Sequence, residues 1–237
     1  MQMRGARFAG ALFDREEAVA AFPFTAVIFD MDGVLIDSEF YYWRQLRDFC
    51  DDNGIDVTDD ELNAQVGASH QSFRRMLKGW FERLGSNFTV DEAEQAFYDW
   101  SADRPMRFRD LLNPGVHETI AALKDAGVRV ALASSSPMVN IKRVLRECDL
   151  TDAFEVIVSG EQFHESKPEP DIYLHTLDCL GLSAEECCCV EDSVPGITAG
   201  KRAGLTVIAK REERFGFSQE AADRIIDTIP DLLAIGE

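Results

Sequence analysis

Residues 25–37 read TAVIFDMDGVLID, and the reading of this stretch decides the fold. Thr25 to Phe29 is a short apolar run without polar alternation, the pattern of a strand buried on both faces. Asp30 and Asp32 follow at once, and two positions apart on an extended chain they point to one face. Two crowded carboxylates repel unless a cation or a proton lies between them. Gly33 directly behind them permits a sharp turn. Open α/β sheets bind ligands at the carboxyl ends of their strands, so the segment is a candidate strand and a candidate site together.

Similar apolar runs recur at 128–133, 155–158, 187–190 and 205–209, with a weaker one at 224–226. Amphipathic stretches at 116–125, 137–148, 171–180 and 197–203 lie between them. The alternation predicts an α/β fold, a Rossmann-like parallel sheet covered by helices on both faces. Gly127 and Gly204, each just before a strand, fit helix ends.

Residues 38–110 break this rhythm. The stretches 41–54, 59–67, 69–85 and 89–104 read as successive helices, with Thr89 ahead of Asp91 and Glu92 as a helix N-cap. Phe73, Trp80, Phe81, Phe97 and Trp100 suit a small helical core. The expected organisation is an N-terminal extension at 1–22, a core at 23–37 and 111–237, and an inserted all-helical cap domain at 38–110. In the extension, Asp14 to Glu17 interrupt a short apolar patch too soon for a signal-peptide core.

Of 237 residues, 43 are acidic and 24 are Lys or Arg, a formal charge of −19. Such a surface repels phosphate backbones and anionic lipid, which argues against nucleic acid and membrane as partners. It also obliges any phosphorylated substrate to find a local cationic trap. No uncharged apolar run is long enough to span a bilayer. Six cysteines, three of them consecutive at 187–189, show no zinc-ligand spacing. They read as small buried apolar residues of a cytoplasmic protein, with neighbours in the triplet pointing to opposite faces.

The segments after the other strands complete the candidate site: Ser134-Ser135-Ser136, Ser166-Lys167-Pro168 and Glu191-Asp192-Ser193. An all-oxygen cluster of Asp30, Asp32, Glu191 and Asp192 suits Mg²⁺. Lys167 would neutralise a phosphate, and Ser134, ahead of a helix, can donate a hydroxyl while backbone N–H groups face an anion. A nucleophilic aspartate, a proton-handling aspartate, a metal and a lysine equip the edge for phosphoryl transfer through an aspartyl phosphate.

FDMDGVLIDSE, ALASSS, SKPEPDIY and VEDSVPGI resemble, in order, the four motifs of the haloacid dehalogenase-like hydrolases. The similar subgroup carries a helical cap after the first motif and includes β-phosphoglucomutase and phosphoglycolate phosphatase. The resemblance implies an Asp30 nucleophile and an Asp32 general acid/base. It also implies Mg²⁺ held by Asp30, the Asp32 carbonyl and Asp192, with Glu191 in or beside the coordination sphere. Ser134 and Lys167 would bind the phosphate, with Ser135 contributing through its backbone. The cap loop carrying Gly67 and His70 faces the active site in relatives and reads the substrate. Asp32 favours phosphate chemistry over dehalogenation.

The function expected is a Mg²⁺-dependent phosphatase, monomeric and cytoplasmic, acting on a small phosphorylated metabolite, a sugar phosphate by class. The alternatives are a phosphosugar mutase and a non-catalytic binding protein on the same fold. Mutase relatives carry a His where this chain has Tyr42, and a phenol cannot replace an imidazole as a neutral-pH proton shuttle. Arg104 and Arg107 are candidates for distal cationic grip, whereas Arg74, Arg75 and Lys78 read as a solvated helix face.

Overall fold

The computed structural model describes residues 22–236, apart from 67, 69, 105, 165 and 166. The proposed extension therefore lies outside the described residues except at its last position, and so do Gly67 and Ser166. Six strands, β1 (Ala26–Phe29), β2 (Arg129–Ser134), β3 (Val156–Ser159), β4 (Cys187–Glu191), β5 (Thr206–Lys210) and β6 (Arg224–Ile226), form one sheet. Their order is β3-β2-β1-β4-β5-β6, and every pairing is parallel. β1 is central, with Ala26 opposite Arg129 of β2 on one side and Cys187 of β4 on the other.

Alternation explains why both faces of the sheet are dry. Val27, Phe29, Val130, Leu132, Cys188 and Val190 join one apolar cluster; Ala26, Ile28, Ala131, Ala133, Cys187 and Cys189 join the other. Helices α5 (Val116–Asp125) and α6 (Met138–Glu147) cover the first face, and α7 (Asp171–Leu180) and α8 (Val194–Arg202) the second. The cysteine triplet thus divides between faces as expected. Cys179 departs from the reading: it is exposed, because its helical position turns it away from the face that buries Tyr173 and Leu177.

Between β1 and β2 stand α1 (Ser38–Asn53), α2 (Asp59–Asn63), α3 (His70–Arg83) and α4 (Val90–Ser101). They form the inserted helical cap, with a core of its own that includes Phe49, Leu77, Trp80, Phe81 and Phe97. Phe73 and Trp100 pack against its edge. Thr89 caps α4 in a reciprocal box with Glu92, and Thr58 does the same for α2 with Glu61. Several helices differ from the expected spans: α2 stops at Asn63 rather than 67 and α4 at Ser101 rather than 104, and two others start earlier. α1 begins at Ser38, three residues earlier than expected, and α8 begins at Val194, where the Ser193 hydroxyl accepts from the Gly196 N–H at 3.2 Å. The two chain crossings into the cap pair with each other through an isolated Ile36–Leu112 bridge, and Asn113 ties them to the Val34 carbonyl at 2.8 Å.

Candidate active site

Four segments meet at the carboxyl edge of the sheet. Asp30 leaves β1 with its N–H still bonded to the Val190 carbonyl at 3.0 Å, and its side chain is buried. Buried Lys167 donates to Asp30 Oδ1 at 2.5 Å and to the Ala133 carbonyl at 3.1 Å, and lies 2.6 Å from Glu191 Oε1. Tyr173 of α7 donates its phenol to the same Glu191 oxygen, and its ring centre is 5.2 Å from the ammonium. The lysine is pinned between two buried carboxylates. Burial pushes the Asp30 carboxyl up to about 8, with Lys167 pulling it part of the way back. Burial opposes the Lys167 charge, yet Asp30 and Glu191 hold the ammonium above the usual lysine range.

Asp30, Glu191 and Asp192 each offer an oxygen, all within 4.8 Å of one another. Asp192 Oδ2 is buried and has no hydrogen-bond partner among the described residues. Burial, followed by the charges of Glu39, Asp30 and Glu191, raises the Asp192 carboxyl well above its ordinary range. An orphaned carboxylate oxygen beside two further carboxylates fits a hard cation, and the all-oxygen donor set fits Mg²⁺. Two glycines let the backbone come this close. A Cβ on Gly196 would meet Glu191 Oε2 at 1.9 Å, and Gly33, at φ +79°, has Asp192 on its open side.

Asp32 faces the same cleft but is held differently. Ser38 at the start of α1 donates to its Oδ1 at 2.6 Å, and Ser136 to its Oδ2 at 3.0 Å. Burial raises its carboxyl while the two hydroxyls pull it down, leaving it above the ordinary value. Its side chain thus stands apart from the three-carboxylate group. Ser134 is 1% exposed and its Oγ accepts from the Ser136 N–H at 3.1 Å, while Ser135 and Ser136 line the cleft.

The cleft between sheet edge and cap holds about 650 Å³, and its cap side includes Tyr42, Gln65, His70, Phe73 and Tyr98. His70 lies 2.6 Å from Glu94, which Arg74 also grips at 2.6 Å. Arg74 further pairs with Asp91 and Lys78 with Glu82, the partly exposed ion pairs of a solvated face. Arg104 borders the cleft but donates to Trp100 and Asp52 at 2.8 and 3.2 Å; Arg107 is exposed, 3.9 Å from Asp110. Ser38, Ser136 and Tyr173 went unassigned in the sequence. All three stand inside motif stretches, but what they touch depends on turns that strand and helix patterns do not encode.

Residues 24–204 match the family model described as haloacid dehalogenase-like hydrolase. The chain belongs to that family. It is 34% identical over 182 residues to the phosphorylated carbohydrates phosphatase of Thermotoga maritima, covering 76% of this chain and 82% of the relative. It is 33% identical to hexitol phosphatase B of Escherichia coli, over 88% of this chain and 96% of that one. Among solved structures, CbbY from Rhodobacter sphaeroides in complex with phosphate superposes with a TM-score of 0.60 at 27% identity, covering 88% and 96% of the two chains. Haloacid dehalogenase-like hydrolases with a helical cap thus share both sequence and fold with this enzyme. Among the described residues, no helix is long and apolar enough to cross a membrane.

Proposed function

We propose that this enzyme is a Mg²⁺-dependent phosphatase of small phosphorylated metabolites, working through an aspartyl phosphate on Asp30. The observation that carries the reading is the position of Asp30, which touches Lys167 and belongs to the Asp30–Glu191–Asp192 group. A nucleophilic carboxylate must be approached by a phosphate dianion, and a lysine plus a divalent cation cancel that repulsion. Mg²⁺ held by Asp30, Asp192 and the Asp32 carbonyl, with Glu191 beside it, would supply positive charge at the transferring phosphoryl oxygens.

In this reading Asp30 attacks phosphorus, and the bond from phosphorus to the ester oxygen breaks as the acyl phosphate forms. Asp32 gives its proton to the departing alkoxide, then takes one from the water that attacks the phosphoenzyme. Inorganic phosphate leaves and both aspartates are restored. Ser134, Ser135 and Lys167 bind the phosphoryl group in this assignment, with Gly67 and His70 on the substrate side of the cap. The boundaries 23–37 and 111–237 for the core and 38–110 for the cap belong to this proposal; the separate apolar cluster of the four inserted helices supports the division, while Phe108 packs with the sheet. The carbohydrate-phosphate class follows the printed names of the relatives. The reading places the enzyme in the cytoplasm as a monomer, and its six free thiols suit that reducing compartment.

Burial, and then the charge of Asp32, drive the Tyr42 phenol further above its ordinary range, so it remains a proton donor at neutral pH. Hydrolysis therefore ranks ahead of isomerisation. The test is a screen of the purified enzyme with Mg²⁺ against p-nitrophenyl phosphate and a panel of phosphorylated metabolites. Phosphate release, fastest from sugar or alditol phosphates, is expected. Release from none of them would overturn the reading.

A further inference from the structure

The loop after β5 is built onto the site. Gln219 Nε2 donates to the Asp192 carbonyl at 2.6 Å and to the Lys210 carbonyl at 2.8 Å, while its Oε1 accepts from the Glu212 N–H at 3.0 Å. Gln219 and Glu212 are both buried. Arg214 projects from this loop and joins it to the cap crossing. One side of its guanidinium takes Glu212, with Nε 2.9 Å from Oε1. The other side grips Asp37 through two bonds, at 2.9 and 2.6 Å. The rings of Phe40 and Phe215 lie 5.2 and 5.6 Å from its central carbon.

Asp37 occupies the N-cap position of α1, where an aspartate ordinarily accepts from the helix's own N–H groups. Here it makes no such bond, and its carboxylate is committed to Arg214. The next residue is Ser38, whose hydroxyl donates to Asp32 at 2.6 Å. One chain of contacts therefore runs from the Asp192 backbone through Gln219, Glu212, Arg214 and Asp37 to the group that holds Asp32.

We propose that Arg214 is a positioning residue for proton transfer: by fixing Asp37 it seats the first turn of α1, and so the Ser38 hydroxyl, on Asp32. The inference rests on the reading of Asp32 as the general acid. The Arg214 and Asp37 side chains are 36% and 38% exposed, so the pair adds little to stability and what it supplies is placement. A planar fork making two parallel bonds provides that placement, and a lysine cannot.

The test compares kcat/KM for two esters, an alkyl phosphate and 2,4-dinitrophenyl phosphate. An alkoxide needs a proton to depart; dinitrophenolate does not. Arg214→Ala should lose about tenfold on the alkyl ester and less than about twofold on the dinitrophenyl ester. Arg214→Lys should recover only part of the alkyl loss. Asp32→Asn, run in parallel, should show the same split in larger measure. Equal losses on both esters in Arg214→Ala, with Asp32→Asn still split, would overturn the positioning role and leave the phosphatase reading standing. Equal losses in Asp32→Asn would overturn Asp32 as the general acid and, with it, the positioning role. Should Arg214→Ala fail to fold, Asp37→Asn breaks the same contact from the other side and carries the same comparison.

Discussion

A Cβ on Gly33 would lie 1.8 Å from Asp192 Oδ2. The first motif and the last are therefore in contact where the turn after Asp32 passes the one buried carboxylate oxygen that lacks a partner among the described residues. Gly33→Ala would add a methyl at φ +79°, where L-residues are strained, and drive Asp192 from its place. A stability loss of about 2 kcal/mol is expected from strain and overpacking together. The more telling result is a sharply raised Mg²⁺ requirement in activity titrations. An unchanged requirement would separate Asp192 from the metal.

Lys167 neutralises two carboxylates that are otherwise out of water. Lys167→Met keeps much of the volume and removes the charge. Breaking a buried pair from one side costs about 3–5 kcal/mol, since the abandoned carboxylates must be protonated or solvated. Denaturant unfolding at neutral pH should show a loss of this order, shrinking in acid as those groups take up protons. Turnover should be undetectable even where the variant is folded.

The acidic cluster also sets a pH dependence. In enzyme stripped of divalent cation, the folded-state Asp30 carboxyl sits near 8 against an ordinary 3.8, raised chiefly by burial. Asp32 and Asp192 shift in the same direction. Between these limits the folded chain holds protons that the unfolded chain has released, so stability falls as pH rises through the window. The thermal midpoint in EDTA should drop from about pH 5 to about pH 8, and Mg²⁺ should restore it most at the upper end. A midpoint that rises in EDTA over that range would contradict the burial of these carboxylates.

Much of this architecture was legible from local pattern. Each strand lies within a residue or so of its apolar run, and α5 and α7 match their expected spans, because buried strands and amphipathic helices carry their signal locally. The start of α8 was missed although Ser193 and Pro195 are ordinary first-turn signals. The spacing from Asp30 marks Asp32 as part of the acidic cluster, but it does not reveal the two serines that hold its side chain, one of them 104 residues away in sequence. Arg214 and Asp37 are 177 residues apart, and no periodicity reports such a contact. What the sequence withheld is how distant loops address one another.

The choice between hydrolysis and isomerisation is open to direct assay. With Tyr42 at the position where mutase relatives carry histidine, β-glucose 1-phosphate supplied with a trace of the 1,6-bisphosphate should yield inorganic phosphate faster than glucose 6-phosphate. Isomerisation outpacing phosphate release would make the mutase reading correct.

The central claim is that Asp30 is the covalent nucleophile, and rapid acid quench of the enzyme during turnover tests it most directly. Acid preserves an acyl phosphate long enough for the modified peptide to be mapped. A phosphoryl adduct on the peptide carrying Asp30 is predicted, absent from Asp30→Asn, which should fold normally and lose at least about 10³-fold in kcat. An adduct on another residue, or near-normal kcat in uncontaminated Asp30→Asn, would contradict the account.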